Sequence, residues 1–188
     1  MVIQGTNALE QWRFNVNIAA APYAQKYWAH KGAVQATERI WASLRDYVSI
    51  EDHVVFVGHS MGGTIAGLLA LKRPDVFEAV SFGSPPVLKP QNVPEAPVLN
   101  VLDAGDIVPF VTYALGYRFA GDVYVIDPGP NLRYIPNFDA FMKSMGLGTS
   151  FKNALVLDNH YSNTYATSMT RLTKVSNLNS TYLGSIEQ

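Results

Sequence analysis

The chain has no cysteine among its 188 residues. That excludes disulfides, thiol nucleophiles and cysteine-based zinc sites. Its four histidines, His30, His53, His59 and His160, form no close H-x-H or H-x-x-x-H pair, which counts against a metal site. Charge is scarce: charged residues make up 15% of the chain, the net charge is −1, and no run of Lys or Arg is longer than Lys72-Arg73. A nucleic acid or an anionic membrane would find no basic footing there. No apolar stretch approaches the ~18 residues needed to cross a bilayer, so no transmembrane segment is expected. Met1-Val2-Ile3 leads at once into Gly5-Thr6, without a charged or apolar leader. The default expectation is a cytoplasmic protein, or a secreted one if the chain is a trimmed mature form.

What is present suits a globular enzyme-sized unit. Hydrophobic residues make up 48% of the chain, and its length predicts a single domain over 1–188 with a full core. Val2 to Gln4 reads as a short buried strand. Residues 7 to 28 mix Trp12, Phe14, Val16, Ile18, Tyr23, Tyr27 and Trp28 with polar and small residues, and lacking a clear period they read as short helix or loop. Apolar positions from Ala33 to Val48 follow a helical period. Strands are predicted at Val54–Val57, Val76–Phe82 and Val98–Leu102, and a helix from Thr64 to Leu71 that stops at Lys72-Arg73-Pro74. Tyr117 to Asp127 reads as a hairpin turning at Ala120-Gly121-Asp122. Helices are predicted at Phe138–Met145 and Tyr161–Leu172, and the polar tail from Asn177 to Gln188 is expected to fray. Short, continuous apolar strands alternating with helices imply an α/β fold, with a mainly parallel sheet covered on both faces.

One short segment carries chemistry. Gly58-His59-Ser60-Met61-Gly62-Gly63 lies between an apolar strand and a small-residue helix. A random G-x-S-x-G is expected only about 0.06 times in a chain this long. At a strand-to-helix turn, this pattern is the nucleophile elbow of α/β-hydrolases, in which a strained serine projects at the sheet end. Ser60 is therefore the candidate nucleophile. The Met61 N–H would point toward a developing oxyanion. A serine hydroxyl needs a base, and the base needs an orienting acid, in the chain order Ser, Asp or Glu, His. His160 is the only histidine after Ser60. The acid has more candidates: Asp103, Asp106, Asp122, Asp127, Asp139 and Asp158. Asp103 and Asp106 both follow the Val98–Leu102 strand, where a partner of the elbow should lie. Asp103 could equally cap a turn, and spacing alone favours Asp106 only slightly. Asp158 is placed to cap the following helix.

The chain resembles the class 3 lipase family, the fungal-lipase-like α/β-hydrolases, along nearly its whole length. Ile3-Gln4-Gly5-Thr6 is similar to that family's F-R-G-T/S strand end, with Trp12 at the tryptophan shortly after it. Ala29-His30-Lys31-Gly32 resembles V-H-x-G, and Gly58 to Gly63 matches G-H-S-L/M-G-G. Phe82-Gly83-Ser84-Pro85 resembles F-G-x-P-R, and Asp106-Ile107-Val108-Pro109 resembles D-x-V-P. Gly116 to Asp127 resembles the hairpin after the acid, and His160 with Tyr165 resembles the H-x4-Y of bacterial members. The resemblance implies Ser60 as nucleophile, Asp106 as acid, His160 as base, and Thr6 as an oxyanion donor opposite Met61.

It further implies a mobile lid at about 7–18, in which Leu9, Trp12 and Phe14 either cover the site or are ordinary core. No cofactor or metal is implied. Family members usually carry further elements before the Gly5-Thr6 strand. The fold expected here is thus a minimal version lacking the first strands, with an edge that a second copy would cover. Pro86 stands where the family often has arginine, and Phe110 lacks the polar residue common after D-x-V-P, so acyl and alcohol preference stay open. The expected function is a serine carboxylester hydrolase acting on acyl esters such as acylglycerols, at a lipid–water interface. The alternatives are a phospholipase A1 or acyltransferase using the same triad, or a non-catalytic hydrolase-like binding domain.

Overall fold

Val54, Val55, Phe56 and Val57 are consecutive apolar residues bounded by Asp52-His53 and Gly58, the pattern of a strand buried on both faces. In the computed structural model they form β4 (Val54–His59), hydrogen-bonded to parallel neighbours on both sides. The structure describes residues 1–4, 19–24, 26–49, 51–90, 95–127, 129, 131–144, 160–161 and 163–172. The other strands are β1 (Val2–Ile3), β2 (Ala20–Tyr23), β3 (Tyr27–His30), β5 (Phe77–Phe82), β6 (Val98–Asp103), β7 (Asp122–Ile126) and β8 (Leu132–Tyr134). Six of them form one sheet in the order β1-β4-β5-β6-β7-β8, parallel throughout except for the β7–β8 pair. This is the mainly parallel α/β-hydrolase sheet expected from the sequence. The helices are α1 (Lys31–Leu44), α2 (Met61–Ala70), α3 (Val108–Ala114), α4 (Phe138–Ser144) and a last helix, α5, over 163–172.

The core explains why α2 is apolar all round. Nine of its ten residues are buried, as expected of a helix with no solvent face. Its Met61, Ile65, Ala66 and Leu69 pack with Ile3, Phe56, Phe77 and Val98, while Leu68 and Leu71 face Tyr23, Ala29, Ala33 and Leu88. A separate cluster of Leu102, Phe110, Tyr113, Val123, Val125 and Phe141 seats α3 and α4 against β6 and β7. The elbow helix is thus wedged into the interior, and the turn that precedes it has little room to relax.

Two expectations from the sequence are corrected. Within the stretch read as helix or loop, β2 and β3 form an antiparallel hairpin of their own, with Ala20 opposite His30 and Tyr23 opposite Tyr27. Its small and aromatic residues pack onto α1 and α2 instead of alternating between core and water, so no strand period shows. Tyr117 to Asp127 is not a hairpin. Arg118 instead exchanges backbone hydrogen bonds with Leu88, and β7 runs parallel to β6. The buried Asn100 amide explains the difference: its Nδ2 donates to the carbonyls of Ala120 and Asp122 at 2.7 and 3.0 Å, and its Oδ1 accepts from Ser81 Oγ at 2.8 Å. That interaction anchors the residues read as a turn to the middle of the sheet. The antiparallel pair at this edge is β7 with β8. The 7–18 segment assigned as a lid and the tail from 177 lie outside the described residues. So do Thr6 and Asp158.

Candidate active site

Ser60 follows the last residue of β4 and precedes the first of α2. Its backbone sits at φ 56° and ψ −128°, a region costing a non-glycine residue roughly 1–3 kcal/mol. The surroundings enforce it. Ser60 N–H donates to the Phe82 carbonyl at 2.9 Å, continuing the ladder with β5, while its own carbonyl accepts from Thr64 N–H at 3.1 Å in the first turn of α2. One residue thus belongs to a strand and a helix at once. Gly58 makes the turn sterically feasible, since a Cβ there would lie 2.3 Å from the carbonyl carbon of Gly62. Met61 opens α2, so its amide is among the first-turn N–H groups without an intrahelical acceptor. That end of a helix favours negative charge.

Two aspartates follow β6, and the structure separates them. Asp103 is half-buried, and its Oδ1 accepts the Gly105 N–H at 2.8 Å, capping the turn. Burial pushes its carboxyl above the usual range, opposed by that N–H bond, while the neighbouring Asp106 raises it further. Asp106 is fully buried. Its Oδ1 accepts from Val108 N–H at 2.9 Å, and its Oδ2 accepts from Tyr165 Oη at 2.7 Å and lies 2.9 Å from His160 Nδ1. A carboxylate without solvent needs such donors. Asp122, Asp127 and Asp139 go elsewhere: Asp122 accepts from Tyr134, Asp127 lies 3.5 Å from Arg133, and Asp139 meets Tyr113 and Arg118.

His160 Nε2 lies 2.8 Å from Ser60 Oγ. Because a carboxylate only accepts, Nδ1 carries the imidazole proton toward Asp106, and the Nε2 lone pair faces the serine hydroxyl. The structure therefore brings Ser60, His160 and Asp106 into one hydrogen-bonded line, able to move a proton off the hydroxyl and return it.

Three residues at this site carried little signal of their own in the sequence. Tyr165, visible only as part of the H-x4-Y likeness, joins the two aspartates: it donates to Asp106 and accepts the Asp103 N–H at 2.9 Å. Burial, then the charge of Asp106, push its hydroxyl well above its ordinary range, so it stays a donor. Gly83, at φ 57°, follows β5; a Cβ there would stand 2.8 Å from Asp106 Oδ2 and 2.9 Å from the Tyr165 ring. His59, which falls at an x of the general G-x-S-x-G pattern and was visible only through the G-H-S-L/M-G-G likeness, lies with its ring tilted beside that of His160. Among the described residues no group of three or more His, Cys, Asp or Glu is gathered to hold a metal ion, and no helix is long and apolar enough to cross a membrane.

The sequence matches the Esterase family model, described as "Putative esterase", over residues 4–109, more than half of the chain. The chain belongs to this esterase family. The matched residues include the elbow, the β5 end and the Asp106 loop. No curated protein matches the sequence. Among solved structures, lipase II from Rhizopus niveus is similar at 20% identity and a TM-score of 0.59, with 81% of this chain and 69% of that one covered. A triacylglycerol lipase whose catalytic centre is formed by a serine protease triad is similar at 20% identity and a TM-score of 0.56, with 85% and 69% covered. The Rhizomucor miehei lipase propeptide complex aligns at 19% identity and a TM-score of 0.53, with 72% of this chain covered. This chain spans about half the length of that one, 52%. At these identities the likeness is one of fold, and it is the fold that the class 3 lipase motifs anticipated.

Proposed function

We propose that the chain is a serine carboxylester hydrolase, with Ser60 as nucleophile, His160 as base and Asp106 as the acid that orients it. The observation that carries this reading is the line Ser60 Oγ, His160 Nε2, His160 Nδ1, Asp106 Oδ2, with contacts of 2.8 and 2.9 Å, built at a strained elbow. His160 takes the Ser60 proton as Oγ attacks the ester carbonyl. The resulting oxyanion is met by the Met61 N–H and by Thr6, each such donor worth roughly 2.7–4 kcal/mol. His160 then protonates the departing alcohol. Water, deprotonated by His160, next attacks the acyl-enzyme and frees Ser60.

Acylglycerols are the proposed esters, taken up at a lipid–water interface. The lipase names of similarly folded proteins support that class, together with the apolar Leu9, Trp12 and Phe14 of the segment after Thr6. The test is hydrolysis of p-nitrophenyl esters of increasing acyl length by the wild type and by Ser60→Ala. The wild type turns over the esters and reacts with a fluorophosphonate at Ser60, while the variant loses on the order of 10⁶ in kcat. Undiminished turnover by Ser60→Ala would sink the nucleophile assignment. Failure of the probe to label the wild type would favour a non-catalytic binding domain.

A further inference from the structure

His59 lies between the glycine that permits the elbow and the serine that the elbow presents. In a strand end of this kind its side chain has no part in the turn. It reaches across to the base instead. His59 Nε2 lies 2.5 Å from the main-chain carbonyl of His160, a contact between residues 101 apart in sequence. A carbonyl only accepts, so Nε2 carries the proton and donates. The two imidazole rings lie 4.9 Å apart between centroids, tilted by 37°, and the Tyr165 ring lies 5.5 Å from that of His59.

We propose that His59 is a positioning residue, whose Nε2–H grips the His160 carbonyl and sets how the base stands against Ser60. The inference rests on the catalytic reading of Ser60 and His160. Its physical basis is that one rigid unit, the end of β4, then holds both reacting partners. Ser60 is fixed by its own backbone, and the base is tied to the adjacent residue through its main chain. The ring of His160 is left free to exchange its proton, because the grip is on the carbonyl.

The surroundings also favour a neutral His59. The titratable groups facing it among the described residues are His160, Asp106 and Tyr165. Burial, and then the neighbouring His160, lower the pKa of His59 below its usual 6.5. A neutral His59 still donates through Nε2, and it does not oppose the positive charge that His160 gains in the transition state.

The experiment compares His59→Leu and His59→Gln with the wild type and Ser60→Ala, all as the full chain. His59→Leu keeps the bulk without the donor, and kcat on p-nitrophenyl butyrate is expected to fall about 10- to 100-fold, as for small misplacements of a reacting group, with KM within about twofold. His59→Gln, whose amide N–H reaches toward the same carbonyl, should recover most of that loss. The His160 Nδ1–H resonance in proton NMR gives a readout free of turnover. It should be present in the wild type, Ser60→Ala and His59→Gln, and exchange-broadened or lost in His59→Leu. An unchanged Nδ1–H signal and unchanged kcat in His59→Leu overturn the proposal. So does an equal loss in Leu and Gln variants that tracks a common drop in Tm, since that marks packing alone. Active Ser60→Ala would instead strike the catalytic reading, and the NMR comparison would still decide the grip.

Discussion

Ser60 and His160 meet at 2.8 Å, yet they arrive there by opposite means. Ser60 is held by its own neighbourhood in the chain: Gly58 two residues before it, the first turn of α2 after it, and a positive φ between. His160 owes its placement to residues far away in sequence, with Asp106 bonded across 54 positions and His59 across 101. The proposed nucleophile is therefore a local conformation and the proposed base a tertiary one. Local strain survives only while the packing around α2 enforces it, whereas the placement of His160 depends on each of a few hydrogen bonds.

That contrast can be broken at several points. Asp106→Asn should have the largest effect, because an amide in that place can hold the imidazole in the wrong tautomer. A loss on the order of 10⁴ in kcat is expected, with the elbow itself intact. Turnover of p-nitrophenyl butyrate within tenfold of the wild type would mean that the base is oriented from elsewhere. Gly58→Ala should act on the fold instead. Its Cβ would fall 2.3 Å from the Gly62 carbonyl carbon, and a destabilisation of about 4 kcal/mol or more is expected from the urea midpoint. A midpoint near the wild-type value would show that the elbow is softer than its neighbours imply.

Asp103→Asn should do least, with activity within about twofold, which sharpens the contrast between two aspartates three residues apart. The variant also carries a pH signature. Burial raises the Asp103 carboxyl in the folded chain above its usual 3.8. A raised folded pKa contributes stability that is full below the unfolded value and lost as pH rises through the folded one. The asparagine variant lacks that loss, so its Tm relative to wild type should rise with pH across this window and level off above it. A flat difference would show that the turn shields the charge better than its burial suggests.

The sequence was most legible where function depends on contiguous residues. The elbow with Ser60 and Met61, its flanking strand and its helix could all be read in order, because glycine spacing and apolar runs report directly on backbone conformation. His160 followed because it is the only histidine after Ser60. Asp103 and Asp106 were nearly equal on spacing, and burial separated them: one turns to a loop amide, the other inward to Tyr165 and His160. The Tyr117–Asp127 hairpin failed for the same reason in reverse. The Ala120-Gly121-Asp122 turn signal suggested a partner within the segment, while Asn100 and Leu88 supplied partners from outside it.

By itself, then, the sequence determined the elbow, the parallel α/β pattern around it and the one histidine downstream of Ser60, since each is written in neighbouring residue types or in a count of one. Only the tertiary structure decided which aspartate faces the imidazole, where the 117–121 segment runs, and that His59 and Tyr165 close around His160. Those choices rest on burial and on hydrogen bonds between residues distant in the chain, which local spacing does not encode.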